Sequence, residues 1–184
     1  WSLGEHFHWK KWTLWDQGSR VPFIVKAPGV TTAGSRCEEG VTLTDIYPTL
    51  LELCGLPAQP ECEAESLVGL LSGEQTSRER PGLTVFGPGN YSLRTSRWRY
   101  TVYDDGSEEL YDYDADPDEH TNLADRAEHA ALKTELASWL PESSVPGVDL
   151  TPPLDGKIEP EPGQRVNLQA IHDGFANRSI TVEA

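Results

Sequence analysis

The sequence predicts an α/β chain, in which the end of one sheet is followed by a small antiparallel sheet covered by a helix. Three observations predict it. Val21 to Gly29 is an apolar, β-rich run closed by Pro28-Gly29, which suits a strand buried on both faces. Four short β-type runs come later, at Leu83 to Phe86, Tyr91 to Thr95, Trp98 to Tyr103 and Glu109 to Tyr113. Ala124 to Leu140 then sets Leu132, Leu136 and Leu140 on one stripe, and a helix after a meander covers one of its faces.

Taken in order, residues 1 to 20 are rich in Trp, His and Lys without periodicity, and read as an irregular loop leading into the Val21 strand. Gly34 to Gly40 is a polar turn region. Thr44 to Gly55 reads as a helix, with Thr44 or Asp45 as cap, Pro48 in the first turn and Gly55 followed by Pro57 at its end. Ile46, Leu50 and Leu53 fall on its apolar face. Residues 56 to 82 form a loop with one short apolar piece, Ser66 to Leu71. The four β runs are separated by Gly87-Pro88-Gly89-Asn90, Ser96-Arg97 and Asp104-Asp105-Gly106-Ser107, and Asp105-Gly106 is a strong hairpin signal. From Pro141, Pro, Gly and acidic residues dominate as in a linker, and Ser179 to Ala184 alternates like the first strand of another module. The organisation read here is 1–80, 81–140 and 141–184.

The 184 residues carry 30 acidic and 15 basic side chains, a net charge of −15. Such a surface repels nucleic acid phosphates and anionic lipid heads, so neither is an expected partner. No apolar run is long enough to span a membrane. The three cysteines (Cys37, Cys54 and Cys62) form no CxxC pair, and the odd count argues against a disulfide framework. Cys54–Cys62 is the one pairing close in sequence, while the apolar surroundings of Cys54 favour a buried free thiol. The first residue is Trp1 and not Met. We therefore expect the chain to begin inside a longer protein, or to have been processed.

The chemistry is concentrated in residues 3 to 22. Lys10, Lys11 and Arg20 are a local basic group in an acidic chain, interleaved with Trp9, Trp12 and Trp15. An ammonium is a compact point charge suited to an oxyanion such as sulfate or phosphate. Tryptophan faces suit a sugar ring or an aromatic leaving group. Taken alone, the residues favour a solvated basic loop with its tryptophans packed as core. Glu5-His6-Phe7-His8 is too sparse for a metal site. Asp112 to Asp118 fails as a calcium loop, because its sixth and twelfth positions hold Pro117 and Leu123. Asn90-Tyr91-Ser92 and Asn177-Arg178-Ser179 fit the glycosylation pattern, which is too short to weigh heavily.

Five motifs in one order carry a family resemblance over roughly residues 1 to 140. They are Trp1-Ser2-Leu3-Gly4-Glu5-His6; Lys11-Trp12-Thr13-Leu14-Trp15-Asp16 with Arg20-Val21-Pro22 and Ala27-Pro28-Gly29; Leu43 to Leu50 with Cys54-Gly55-Leu56-Pro57; Tyr91 to Thr95 with Trp98-Arg99-Tyr100; and Glu109-Leu110-Tyr111-Asp112, Asp116-Pro117, Glu119 to Leu123. The order resembles the sulfatase family, especially its iduronate-2-sulfatase-like members. The resemblance implies the end of the alkaline-phosphatase-like α/β sheet plus the small C-terminal sheet, and sulfate-ester hydrolysis.

By resemblance, Lys11 contacts the substrate sulfate and stabilises charge as the ester is cleaved, with Lys10 as the alternative. Trp1 and Trp12 flank the site as substrate-binding candidates, and core packing explains them equally well. Asp16 and Arg20 are expected to form an ion pair holding the loop to the sheet. The family's nucleophile is a formylglycine made in a Cys/Ser-x-Pro/Ala-x-Arg motif, which this sequence lacks. Its Ca2+ ligands are expected just upstream of Trp1, so no metal ligand is assigned here. The resemblance therefore implies a partner, the N-terminal part of the sulfatase, and a chain inactive by itself. It further implies a sulfated small molecule or sugar as substrate, and a periplasmic, secreted or lysosome-like setting. Poor solubility is expected in isolation, because the Val21 strand would lack sheet neighbours. A non-catalytic carbohydrate-binding remnant and a phosphoesterase of the same superfamily are the alternative readings.

Overall fold

Alternating side chains and tight turns make the C-terminal sheet. In the computed structural model, which describes residues 2–142, it comprises β3 (Gly82–Val85), β4 (Tyr91–Arg94), β5 (Trp98–Val102) and β6 (Glu108–Asp112). The strands pair antiparallel in the order β3-β4-β5-β6. Leu93 faces Tyr100, and Tyr100 faces Leu110, so one stripe of large apolar residues crosses the sheet. Gly106 closes the β5–β6 hairpin at φ 82, a conformation that glycine adopts without a Cβ clash.

The meander appears where the sequence puts it, and the covering helix is shorter than the expected Ala124 to Leu140. The helix (Ala130–Ala137) is entered through a 3-10 turn at Ala127–His129. Leu136 joins Leu93, Tyr100, Leu110 and Ala124 in the core, and Leu132 and Leu140 pack against it. Fully burying each such leucine stabilises the fold by about 1.5–3 kcal/mol.

Residues 2–80 fold as short elements along loops: β1 (Ser2–Leu3), β2 (Trp9–Lys10), α1 (Asp16–Ser19), α2 (Ile46–Leu53) and α3 (Val68–Ser72). The covering helix is α4. The two-residue strands β1 and β2 pair antiparallel. The Ser66 to Leu71 apolar piece is the source of α3.

Several expectations are corrected. Val21 to Gly29 forms no strand. Ile24 is 91% exposed, with Val21 and Phe23 open as well, because no described strand lies alongside to pair with them. The buried face of α2 is polar instead of leucine-lined. Leu50 is exposed, while Asp45 and Thr49 are buried. Arg78 Nη1 meets Asp45 Oδ2 at 2.7 Å, Thr49 Oγ1 donates to the Asp45 carbonyl at 2.6 Å, and the Leu67 amide donates to Thr49 Oγ1 at 2.9 Å. Burial works against the Arg78 charge, but Asp45 outweighs it and raises its pKa. The helix entry is held one turn earlier than expected, by the Thr42 amide donating to Asp45 Oδ2 at 2.8 Å. Cys54 is exposed, not buried, since it follows the last turn of α2; all three cysteines are free thiols. Trp1 and the 143–184 segment, with its linker and final strand expectation, lie outside the described residues.

Candidate functional site

The first hairpin is compact and strained. Gly4 turns at φ 128, and His6 and Phe7 follow at φ 51 and 57. Glu5 Oε2 accepts the Leu3 amide at 2.6 Å, and this bond lowers the Glu5 pKa. The two histidines go to packing: His6 stacks on Trp15 at 4.4 Å, and His8 Nε2 donates to the Lys11 carbonyl at 2.7 Å.

That second bond fixes the turn carrying Lys11 and Trp12. Both side chains are exposed. Trp12 stands at φ 70, a left-handed backbone that a bulky residue holds only at a cost of about 1–3 kcal/mol. Its ring lies 5.8 Å from that of Phe86, tilted by 57°.

Immediately after this turn the chain is bolted to the C-terminal sheet. Leu14 is buried, and its carbonyl accepts Arg99 Nη1 at 2.8 Å. Asp16 Oδ1 lies 3.1 Å from Arg99 Nη2, and the Asp16 amide donates to Glu119 Oε2 at 2.9 Å. Arg99 Nε lies 2.6 Å from Glu119 Oε1, with side-chain exposures of 3% and 0%. Tyr113 hydroxyl donates to the same Glu119 oxygen and accepts from Arg99 Nε at 2.8 Å. Trp15 Nε1 adds a bond to Glu109 Oε2 at 2.8 Å.

The electrostatics of this cluster balance. Burial works hardest against the Arg99 charge, but Tyr113, Glu119 and Asp16 outweigh it and hold its pKa above the usual value. Burial raises the Tyr113 hydroxyl, which stays a neutral donor. Arg94 lies 3.7 Å over the Tyr113 ring, and desolvation lowers its pKa.

The structure therefore brings Trp12 against Phe86 at an exposed edge, with Lys11 exposed next to Trp12 in the chain. The expected Asp16–Arg20 pair exists at 3.5 Å, but Arg20 is largely in solvent and such pairs contribute little. The partner that holds Asp16 is Arg99. Sequence reasoning missed Arg99, Glu119 and Phe86 as site-forming residues. Arg99 and Glu119 lie within motifs of the resemblance, yet nothing local in the sequence marks them as buried partners of residue 16. Among the described residues, no three His, Cys, Asp or Glu side chains gather as metal ligands, so these residues do not fit a calcium cage.

Comparison with known proteins identifies the scaffold. Residues 4–145 match the family model described as N-sulphoglucosamine sulphohydrolase, C-terminal. The chain belongs to this family. The sulfatase resemblance read from the motifs is thus borne out. A sulfatase of Formosa agariphila is 32% identical over 143 residues, covering 78% of this chain and 28% of that protein. Arylsulfatase K of Homo sapiens is 32% identical over 136 residues, covering 65% of this chain and 25% of the human protein. The sulphohydrolase C-terminal domain described here thus spans about a quarter of the length of these relatives. The solved structure of BT4656, in complex with its substrate D-glucosamine-2-N,6-O-disulfate, superposes with a TM-score of 0.63 at 27% identity, covering 74% of this chain and 30% of that one. The fold is that of the C-terminal part of an alkaline-phosphatase-like sulfatase.

Proposed function

We propose that this chain supplies Lys11 to the active site of a sulfatase that cleaves a sulfate ester of a sugar, and that the chain is inactive alone. The supporting observation is the rigid mounting of the Lys11–Trp12 turn. It projects into solvent, while Leu14, Trp15 and Asp16 behind it are tied to Arg99, Glu109 and Glu119. A preorganised ammonium stabilises the charge that grows on the departing oxygen and on the sulfate as the ester bond breaks, without reorganising at the moment of reaction. In this reading Trp12 lines the substrate cleft, and Trp1 is a second substrate-binding candidate from its place in the motif order.

Formylglycine and the Ca2+ ligands come from polypeptide outside these 184 residues, the ligands just upstream of Trp1, and the N-terminal part of the sulfatase is the partner. The sequence has no Cys/Ser-x-Pro/Ala-x-Arg motif to supply the nucleophile. The sugar class follows from the aromatic and cationic side chains of the turn, and from the sulfated glucosamine bound by BT4656. A periplasmic, secreted or lysosome-like compartment matches such a substrate.

The test is turnover of sulfated sugars by the full-length sulfatase carrying this chain. Lys11→Ala is expected to lower kcat/KM by roughly 10²–10³-fold, the usual effect of removing one charge-stabilising donor. An unchanged kcat/KM removes Lys11 from the site. Turnover by the 184-residue chain alone would overturn its dependence on the rest of the protein. Cleavage of phosphate but not sulfate monoesters would replace the sulfatase reading.

A further inference from the structure

We propose that Phe86 joins Trp12 in an aromatic platform that seats the pyranose ring of the substrate beside Lys11. The inference rests on the sulfatase reading above and adds a residue from the C-terminal sheet to the substrate cleft.

Phe86 directly follows β3, at the start of the Phe86-Gly87-Pro88-Gly89-Asn90 turn. Its amide donates to the Asn90 carbonyl at 3.0 Å, which fixes the backbone under the ring. Phe86 is 42% exposed and Trp12 39%. Two aromatics from distant segments thus meet at 5.8 Å and 57° without either being buried. Residues that met only to fill a core would be shielded from water on both faces. Here the tilted contact leaves each ring partly open.

Two further features keep the platform open and in place. A Cβ added at Gly87, which stands at φ 68, would meet nothing within 4 Å, so the turn that follows Phe86 is itself uncovered. The Trp12 backbone is held at φ 70 next to the bond between His8 and the Lys11 carbonyl, which keeps Trp12 turned toward Phe86. Aromatic faces take the C–H face of a sugar ring, and the neighbouring Lys11 ammonium takes its sulfate. A substrate with both a ring and a sulfate is the ligand that uses both.

The experiment uses the whole sulfatase that carries this chain. The probes are glucosamine N-sulfate, glucosamine 6-sulfate and galactosamine 6-sulfate, with 4-nitrophenyl sulfate as an ester without a sugar. For the sugar turned over best, Phe86→Ala is expected to raise KM by about tenfold with kcat changed by less than about threefold, the signature of lost uniform binding. Phe86→Tyr, which keeps the ring, is expected to restore KM to within about twofold. An unchanged KM in Phe86→Ala, or no rescue by Phe86→Tyr when both variants melt at the wild-type temperature, overturns the platform while leaving the sulfatase reading intact. Turnover of 4-nitrophenyl sulfate but none of the sugars also overturns the platform. A wild-type enzyme that cleaves none of the four sulfated probes removes the sulfatase reading, and the platform with it.

Discussion

Arg99 and Glu119 face each other at 2.6 Å in a place that solvent barely reaches, and Asp16 closes the group from the other side. Removing one member of a buried pair strands the other charge, at a cost of about 3–5 kcal/mol. Glu119→Leu is therefore expected to destabilise the protein by that order in denaturant unfolding. Pairing it with Arg99→Met removes both charges and is expected to recover part of the loss. Simple additivity of the two single losses would show that the residues are not coupled.

Gly40 shows how tightly the loop region lies on the sheet. A Cβ there would sit 1.9 Å from the Arg94 carbonyl oxygen, so backbone must move to admit it. Gly40→Ala is expected to cost about 1–3 kcal/mol as overpacking, read as a drop in the denaturation midpoint at constant m. A wild-type midpoint would mean that the two segments separate freely.

Acid should weaken both ends of β6. The Arg97 hydrogen bonds hold the Asp112 carboxyl below its ordinary value of 3.8, and Lys133 followed by Tyr100 hold Glu108 below 4.5. A carboxyl lowered by the fold contributes stability that is complete above its unfolded value and lost as pH falls through its folded value. Asp112→Asn should thus be less stable than wild type at neutral pH, by a margin that shrinks as pH drops below about 4. Melting curves from pH 7 downward check this. A margin independent of pH would assign the loss to packing and not to charge.

The meander and α4 were legible because their signals are local. Asp105-Gly106 closes a hairpin whatever surrounds it, and the Leu132–Leu136–Leu140 stripe has one face to bury. Val21 to Gly29 reads as a buried strand because its residues are apolar, yet among the described residues no strand lies alongside it. Leu50 misled for another reason: at the entry of α2 the buried side is taken by Asp45, paired with the distant Arg78, and by Thr49. Of the proposed site, Lys11 and Trp12 were named from motif order. Phe86 and Arg99 were not, because residues 12 and 86, or 16 and 99, become neighbours only through the fold.

The long reach of these contacts has a consequence for the order of events during synthesis. Asp16 is bound to Arg99, 83 residues later, and to Glu119, 103 residues later. A ribosome making the chain from its N-terminal side releases the Lys11 turn well before its anchors exist. The turn therefore takes its working shape only after the last hairpin and residue 119 have emerged. A nascent chain stalled short of that point would hold the lysine on an unfastened loop, so this corner of the molecule matures only once residue 119 has been made.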